Sequence, residues 1–176
     1  YQCKPTSNGG KPNGGSAITN YQYSIDGGDS WTTRSPASPS SPMLISGLDN
    51  GVAYPVRVRA VNAAGAGTAS ESQSATPRTT PGAPTIDAET ISGVGGELDV
   101  EFSAPSDDGG ASISTYQYST DAGATWRTRG SGTTGSPLRI TTLSNDGITP
   151  LVGGQTYPVE VRAVNAAGPG AASAVA

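Results

Sequence analysis

The chain contains nearly the same sequence twice, and this internal repeat constrains its fold more than any other feature. Residues 18–31 return 95 positions later as residues 113–126. Residues 54–65 return 103 positions later as residues 157–168. A period of this length is too long for a solenoid unit and matches one small autonomous domain. The sequence therefore predicts two domains of one kind.

A proline-rich stretch separates the two copies. Residues 75–84 hold three prolines, and such spacing favours extended backbone. We therefore expect a first domain over residues 1–77, a short semi-rigid linker over 78–83 and a second domain over 84–176. The repeat also predicts that the first domain is truncated at its N-terminus, without its first strand, and that the last strand of the second domain is cut short.

Composition and residue alternation together predict an all-β protein. The chain has 25 Gly and 14 Pro, a content that low-complexity sequences share. Its aromatic and valine positions nevertheless recur at fixed offsets, which disordered tracts have no reason to keep. Apolar and polar residues alternate over 98–102 and 56–60, as in half-buried strands, and no segment has helical periodicity. About seven short strands per copy, with turn signals between them, indicate a β-sandwich.

Charge and hydropathy exclude several classes of partner. The net charge is −4, with six basic and four acidic side chains in residues 1–79 and four basic and ten acidic ones in residues 80–176. No basic stripe with interleaved aromatics is present, so we expect no nucleic acid partner. No apolar run approaches the roughly 18 residues that span a bilayer, so we expect no membrane insertion.

The residue inventory also argues against catalysis. Histidine is absent and Cys3 is the only cysteine, so this chain cannot build a Ser-His or Cys-His nucleophile or a Cys/His metal site. We predict no catalytic, cofactor-binding or metal-binding residue and no cofactor. The thiol of Cys3 is either incidental or a bridge to another chain, and both interpretations stay open.

Two kinds of side chain could still bind a ligand. The carboxylates Asp26 with Asp29, and Asp107 with Asp108, cluster in glycine-rich loops. Calcium takes about six to eight oxygens, so we interpret them as turn residues and keep a calcium site as the alternative. Trp31 and Trp126 could stack on sugars if exposed. Their identical place in both copies favours a packing role.

One motif identifies a resemblance to a known family. Leu48 lies six residues before Tyr54, and an alternating Val strand, an Ala-Val-Asn sequence and a glycine-rich turn follow. Leu151 and Tyr157 repeat this spacing. The pattern resembles the fibronectin type III family, and the Tyr-Gln-Tyr-Ser segment with its Asp-Gly-Gly turn and Trp resembles the bacterial branch found in secreted and surface proteins.

The resemblance implies two tandem immunoglobulin-like β-sandwiches with a shared set of core positions. A tyrosine at the start of the penultimate strand fills the core edge and hydrogen-bonds the preceding loop, the arrangement called a tyrosine corner. On this basis we predict structural roles in the core or the tyrosine corner for nine residues: Tyr21, Trp31, Leu48, Tyr54, Phe102, Tyr116, Trp126, Leu151 and Tyr157.

These features predict a non-enzymatic, extracellular structural spacer, secreted or at the cell surface. It would be a repeating unit of a bacterial surface protein, fibre or adhesin, with other copies or neighbouring domains as partners, and could self-associate through open sheet edges. Two alternatives stay open. One is an accessory spacer region of a secreted polysaccharide-degrading enzyme. The other is a ligand-binding module that uses the loop over residues 145–151, with polysaccharide as one candidate partner.

Overall fold

Every regular element that the structure describes is a β-strand. The computed structural model describes residues 2–3, 13–87 and 95–176. The chain forms two compact units, Tyr1–Pro77 and Arg78–Ala176. Within those residues no helix could cross a membrane. The prediction of an all-β fold is therefore confirmed.

The first unit contains two antiparallel sheets. The smaller sheet pairs β1 with β4. In the larger sheet, β5 pairs with β2, which pairs with β3, and the other edge of β5 pairs with β6 and β7. The strands are β1 (Gln2–Cys3), β2 (Asn20–Ser24), β3 (Thr32–Thr33), β4 (Met43–Leu44), β5 (Tyr54–Asn62), β6 (Gly65–Ala66) and β7 (Gln73–Ala75).

The second unit repeats this plan. Its larger sheet has the order β12-β11-β14-β15, β9 pairs with β13, and β8 pairs with β10. Among the described residues of the first unit, none forms a counterpart of β8. The strands are β8 (Thr85–Ile86), β9 (Leu98–Val100), β10 (Phe102–Ser103), β11 (Thr115–Ser119), β12 (Arg127–Thr128), β13 (Leu138–Ile140), β14 (Glu160–Asn165) and β15 (Gly168–Ala172).

Residue alternation places the long strand of each unit between core and solvent. In β5, Val56 and Val58 are buried, whereas Arg57 and Arg59 are only partly buried. The neighbouring strand β2 is antiparallel, with Tyr23 opposite Val58. Because strand side chains alternate between faces, Val56 and Val58 lie on the core face of the sheet with Tyr23, whereas Arg57 and Arg59 lie on the other face.

Each unit has its own hydrophobic core. The buried residues of the first core are Met43, Ile45, Val56, Val58 and Ala75. The core of the second unit is larger, and in it the rings of Phe102 and Tyr116 lie 4.5 Å apart. Its buried residues are Val100, Phe102, Tyr116, Tyr118, Leu138, Ile140, Leu151, Val159, Val161 and Ala163. Antiparallel sheets that enclose a hydrophobic core make each unit a β-sandwich, as the sequence predicts.

A tyrosine near the start of each long strand segment ties the preceding loop to the core. The hydroxyl oxygen of Tyr54 accepts a hydrogen bond from the N–H of Asp49 at 3.0 Å. The hydroxyl oxygen of Tyr157 accepts one from the N–H of Val152 at 2.9 Å. Leu48 and both tyrosine rings pack against their cores, and Leu151 is itself buried. The loop before each long strand is therefore held from both ends.

The proline-rich segment that the sequence predicts as a linker is hydrogen-bonded within the second unit. The N–H of Thr79 donates to the Gly109 carbonyl at 2.9 Å, and the N–H of Gly82 donates to the Asp107 carbonyl at 2.9 Å. Pro81 and Pro84 are buried. The first strand of the second unit, β8, begins directly after this segment at Thr85.

Removal of one hydroxyl group tests how much the loop tether contributes. We expect Tyr157→Phe to lower the free energy of unfolding of the second unit by about 1 kcal/mol, because the Val152 amide loses its acceptor but can reach water. Tyr157→Ala should cost roughly 3–5 kcal/mol, because the ring is lost as well. Urea denaturation monitored by tryptophan fluorescence measures both values. A Phe variant as stable as the parent chain would show that the hydroxyl contributes nothing.

Candidate functional site

The most elaborate polar structure in each unit is a hairpin turn of its larger sheet, between β2 and β3 in the first unit and between β11 and β12 in the second. In the first unit, the hydroxyl of Ser24 donates to a carboxylate oxygen of Asp26 at 2.6 Å and accepts the N–H of Gly28 at 2.8 Å. The N–H of Ser30 donates to both carboxylate oxygens of Asp26, at 3.0 and 2.9 Å, and its hydroxyl donates to one of them. The Asp26 carboxylate therefore organises its own turn.

The second unit builds the same turn with equivalent residues. The hydroxyl of Ser119 donates to Asp121 at 2.7 Å and accepts the N–H of Gly123 at 2.8 Å. The N–H and hydroxyl of Thr125 donate to the two Asp121 oxygens at 2.9 and 2.6 Å. The same hairpin turn is thus specified in both units by four residues at fixed spacing: a serine, an aspartate, a glycine and a second hydroxyl residue.

The hydrogen bonds of this turn favour ionised aspartates. Those from the Ser24 and Ser30 side chains hold the pKa of Asp26 well below its usual range. Burial acts to raise the pKa of Asp121, but hydrogen bonds from Thr125, Ser119 and Ser144 outweigh it, and the net shift is downward. These carboxylates are occupied by local donors. No metal-binding group of three or more His, Cys, Asp or Glu residues occurs in the part of the chain that the structure describes.

The second pair of acidic loop residues is used in the same local way. A carboxylate oxygen of Asp107 accepts the N–H of Gly109 at 2.8 Å, and one of Asp108 accepts the N–H of Gly110 at 2.8 Å. Each bond spans two residues and shapes a tight turn. The carboxylates of Asp26, Asp107 and Asp108 therefore accept hydrogen bonds within their own turns, as the turn interpretation expects.

The tryptophan that follows each turn is held by its edge and covered on one face. The indole N–H donates to the carbonyl of Gly28 in the first unit and of Gly123 in the second, at 3.0 Å in both. The guanidinium carbon of Arg59 lies 4.1 Å from the centroid of the Trp31 ring. Arg162 covers Trp126 at the same distance. Both rings are therefore half-buried within a cation–π pair.

A glutamine on the adjacent strand fixes each arginine in place. The side-chain oxygen of Gln22 accepts the Nε–H of Arg59 at 2.7 Å, and its amide donates to the Thr33 hydroxyl at 2.9 Å. Gln117 makes the same two contacts with Arg162 at 2.8 Å and Thr128 at 3.2 Å. A tryptophan, an arginine, a glutamine and a threonine form one connected surface on each unit. We call this surface the Trp–Arg row.

The Trp–Arg row limits what the tryptophans can bind. A sugar-stacking platform needs an open aromatic face, and the guanidinium already occupies one face of each ring. The sequence singled out the two tryptophans but missed the arginines and glutamines beside them. Their signal was available, because Gln22 and Gln117, and Arg59 and Arg162, recur at the offsets of the repeat.

The second unit has eight more residues than the first between its two repeated segments, around residues 144–151, and this insertion is hydrogen-bonded to the turn. The hydroxyl of Ser144 accepts the N–H of Thr120 at 3.1 Å, and the N–H of Ser144 donates to the Thr120 hydroxyl at 3.0 Å. Beyond it, Asp146 accepts the N–H of Ile148 at 2.9 Å, and hydrogen bonds from Thr149 and Ile148 lower its pKa to about 2. Ile148 is 81% exposed. The insertion is thus a built loop with an apolar tip.

A small cavity of about 180 Å³ lies beside the tyrosine tether of the second unit. Residues 95–98 and 151–155 line it, together with Tyr157. Its one charged lining residue is Glu97, whose carboxylate lies 3.5 Å from Arg139 in an exposed ion pair. The cavity is smaller than the roughly 300–1,000 Å³ of most ligand sites and brings no acid–base pair together.

The remaining predicted residues lie in or near the cores. Phe102 and Tyr116 are buried in the second core, and Tyr21 packs against the first. Cys3 lies in β1, where its backbone is opposite Met43. Its thiol is outside the described structure, so the intermolecular bridge stays a prediction.

Comparison with known proteins gives the fold but no family. No family model matches the sequence. The structure is similar to the crystal structure of domains A168-A170 from titin, with a TM-score of 0.50 and 16% sequence identity over 90% of this chain. The chain spans about half of that structure, 54% of its length. At this identity the likeness shows a shared fold, and each unit is an immunoglobulin-like β-sandwich of the kind expected for fibronectin type III-like domains.

A double-mutant cycle tests the Trp–Arg row. We expect Trp126→Leu and Arg162→Met to be non-additive in the free energy of unfolding, with a coupling energy of about 0.5–1 kcal/mol, because the pair is only partly exposed. Urea denaturation of the four chains, monitored by circular dichroism, gives the coupling. The control pairs Trp126→Leu with Arg139→Met, on the other sheet, and should be additive. Additivity in both cycles would contradict the cation–π assignment.

The pH dependence of stability follows from the turn aspartates and the absence of histidine. Because the pKa of Asp26 is lowered in the folded state, its contribution is present above the unfolded pKa of about 3.9 and is lost as the pH falls through the folded value. We therefore expect a flat free energy of unfolding from about pH 5.5 to 7.5 and a decline below about pH 4.

The variant Asp26→Asn should make this acid decline shallower, since one fewer carboxylate takes up a proton on unfolding. Asp29→Asn, in the same turn, is the matched control and should keep the steeper decline, because no described group hydrogen-bonds the Asp29 carboxylate. Urea denaturation at a series of pH values measures each profile. A sharp change in stability between pH 6 and 7 would contradict the assignment.

Proposed function

We propose that this chain is a non-enzymatic structural spacer, a repeating part of a longer secreted or surface-exposed bacterial protein. The observation that carries the proposal is that the same sandwich is built twice, with the polar side chains of its turns engaged by their own hairpins. Asp26 and Asp121 act on their own turns, and Trp31 and Trp126 are clasped by neighbouring arginines. Such units supply length and shape rather than a reaction centre.

Two further observations support a passive role. Among the described residues, no buried side-chain polar atom is left without a hydrogen-bond partner, so no polar group waits inside either unit for a ligand. The chain also has no histidine, so its net charge changes little near neutral pH. The bacterial and extracellular parts of the proposal are supported by the sequence resemblance to secreted and surface proteins.

Surface labelling tests the location. Antibodies against the purified chain should bind intact cells of the source organism, or the protein should be found in the culture medium. As the control, antibodies against a cytoplasmic enzyme should label only permeabilised cells. Electron microscopy of labelled material then shows whether the epitope repeats along fibres. Labelling that appears only after permeabilisation would contradict the extracellular spacer.

Polysaccharide sedimentation separates the spacer from the binding-module alternative. We expect the parent chain to stay in solution with insoluble cellulose, chitin and xylan, because one face of each tryptophan is covered. Sedimentation that is lost in Trp31→Ala or Trp126→Ala, with the fold intact by circular dichroism, would favour carbohydrate binding. Sedimentation lost in Ile148→Ser would favour binding through the insertion loop.

A further inference from the structure

A clamp at one end of the second unit holds the extended segment 79–84. The side-chain amide of Asn165, which is 4% exposed, donates to the Thr79 carbonyl at 2.8 Å and to the Asp108 carbonyl at 2.7 Å. The N–H of Thr79 donates to the Gly109 carbonyl at 2.9 Å. The N–H of Ala171 donates to the Pro81 carbonyl at 3.2 Å. The segment is thus held through its backbone.

Two glycines make this close contact possible. A Cβ atom at Gly109 would lie 2.2 Å from the Thr79 carbonyl oxygen. A Cβ atom at Gly170 would lie 2.2 Å from the Pro81 carbonyl oxygen. Both distances are far below contact distance, so any side chain at these positions would displace the segment. For Gly170, whose φ is not in the left-handed region, the need for glycine is explained by Pro81 alone.

The first unit carries the same clamp residues at the repeat offsets. Gly14, Asn62 and Gly67 correspond to Gly109, Asn165 and Gly170. The Asn62 amide donates to the Asn13 carbonyl at 2.6 Å, as Asn165 does to Asp108. Its other contact reaches the Ser16 carbonyl at a long 3.4 Å. The loop half of the clamp is therefore formed in both units.

No described residue occupies the segment half of the clamp in the first unit. The nearest atom to a Cβ at Gly67 is the Ala60 carbonyl oxygen at 3.6 Å, an ordinary contact. The N–H of Thr68, the counterpart of Ala171, has no acceptor among the described residues. Gly14 and Gly67 are exposed, whereas Gly109 is buried. Gly67 is thus a glycine that nothing described in its own unit requires.

We propose that Gly14, Asn62, Gly67 and Thr68 form a docking groove for an extended proline–glycine segment like Thr79–Pro84, the stretch of chain that leads into a repeat. The segment would donate one N–H to the Gly14 carbonyl, and two of its carbonyls would accept from the Asn62 amide and the Thr68 N–H. The source of the segment rests on the proposed function, whereas the groove itself does not.

A peptide titration tests the groove in the complete chain. The probe is the capped peptide with the sequence of residues 78–86, added to ¹⁵N-labelled protein and followed by NMR. We expect saturable shifts at the amides of Gly14, Gly67 and Thr68 and at the Asn62 side-chain NH₂. Gly109 and Gly170 should not shift, because their groove is already filled. A peptide with proline at the Thr79 position lacks the N–H for Gly14 and should bind more weakly.

The variant Gly67→Val provides the decisive comparison. Its backbone is not in the left-handed region and its Cβ meets no atom closer than 3.6 Å, so the variant should fold. We expect it to weaken peptide binding by about tenfold or more, because the added side chain fills the path of the segment. Ser72→Val, an exposed change on the same unit, should bind like the parent chain.

Three outcomes would overturn the groove. They are the absence of shifts at millimolar peptide, equal binding by Gly67→Val, and shifts confined to the second unit or to the edge of β7. Failure here leaves the surface-labelling result untouched, since that experiment depends on location and not on this groove. Conversely, a bound peptide with only intracellular labelling would keep the groove and remove the extracellular spacer.

Discussion

The register of the long strand with its neighbour is the constraint on which each unit depends. In the first unit Tyr21 lies opposite Ala60 and Tyr23 opposite Val58, and Tyr116 and Tyr118 repeat this with Ala163 and Val161. A slip of one residue would turn the buried valines Val56 and Val58 to solvent and the arginines between them into the core. The same register carries the surface chemistry, because it brings Gln22 opposite Arg59 and so completes the row that covers Trp31.

The two ends of the long strand have separate tasks. The tyrosine at the N-terminal end accepts a hydrogen bond from the loop before it. The asparagine at the C-terminal end donates a hydrogen bond to a carbonyl of the loop before β2 in the first unit and before β11 in the second. Two valines between these two residues are buried in the core of each unit, and the tyrosine ring packs against its edge. The long strand therefore positions loops at both of its ends. Its sequence is also the part of the repeat in which the two copies are most alike.

The sequence predicted those features of the fold that depend on residues close together in the chain. The all-β fold and the division into strands and turns follow from alternation and turn residues, which act over a few positions. It did not predict the partners that meet across the sheet. The stacking of Arg162 on Trp126 joins residues far apart in sequence, and so does the attachment of Ser144 to Thr120. Nor did it show that Leu44 would point outward, 70% exposed, between buried Met43 and Ile45. Adjacent apolar residues do not reveal which of them faces the core.

Comparing the two copies recovers part of what a single copy hides. A single glycine shows only that a close contact is possible at its position. Equivalent glycines in the two copies show whether a neighbouring atom occupies the space of the missing Cβ in both. At Gly170 the Pro81 carbonyl oxygen occupies the space that a Cβ atom would need. At Gly67 no described atom does so. Because a glycine loses more conformational entropy on folding than other residues, a glycine that its own unit does not require is consistent with the contact that we propose for a docked segment. The second unit, in which the segment Thr79–Pro84 fills the clamp, thus serves as the reference for the groove that we propose in the first unit.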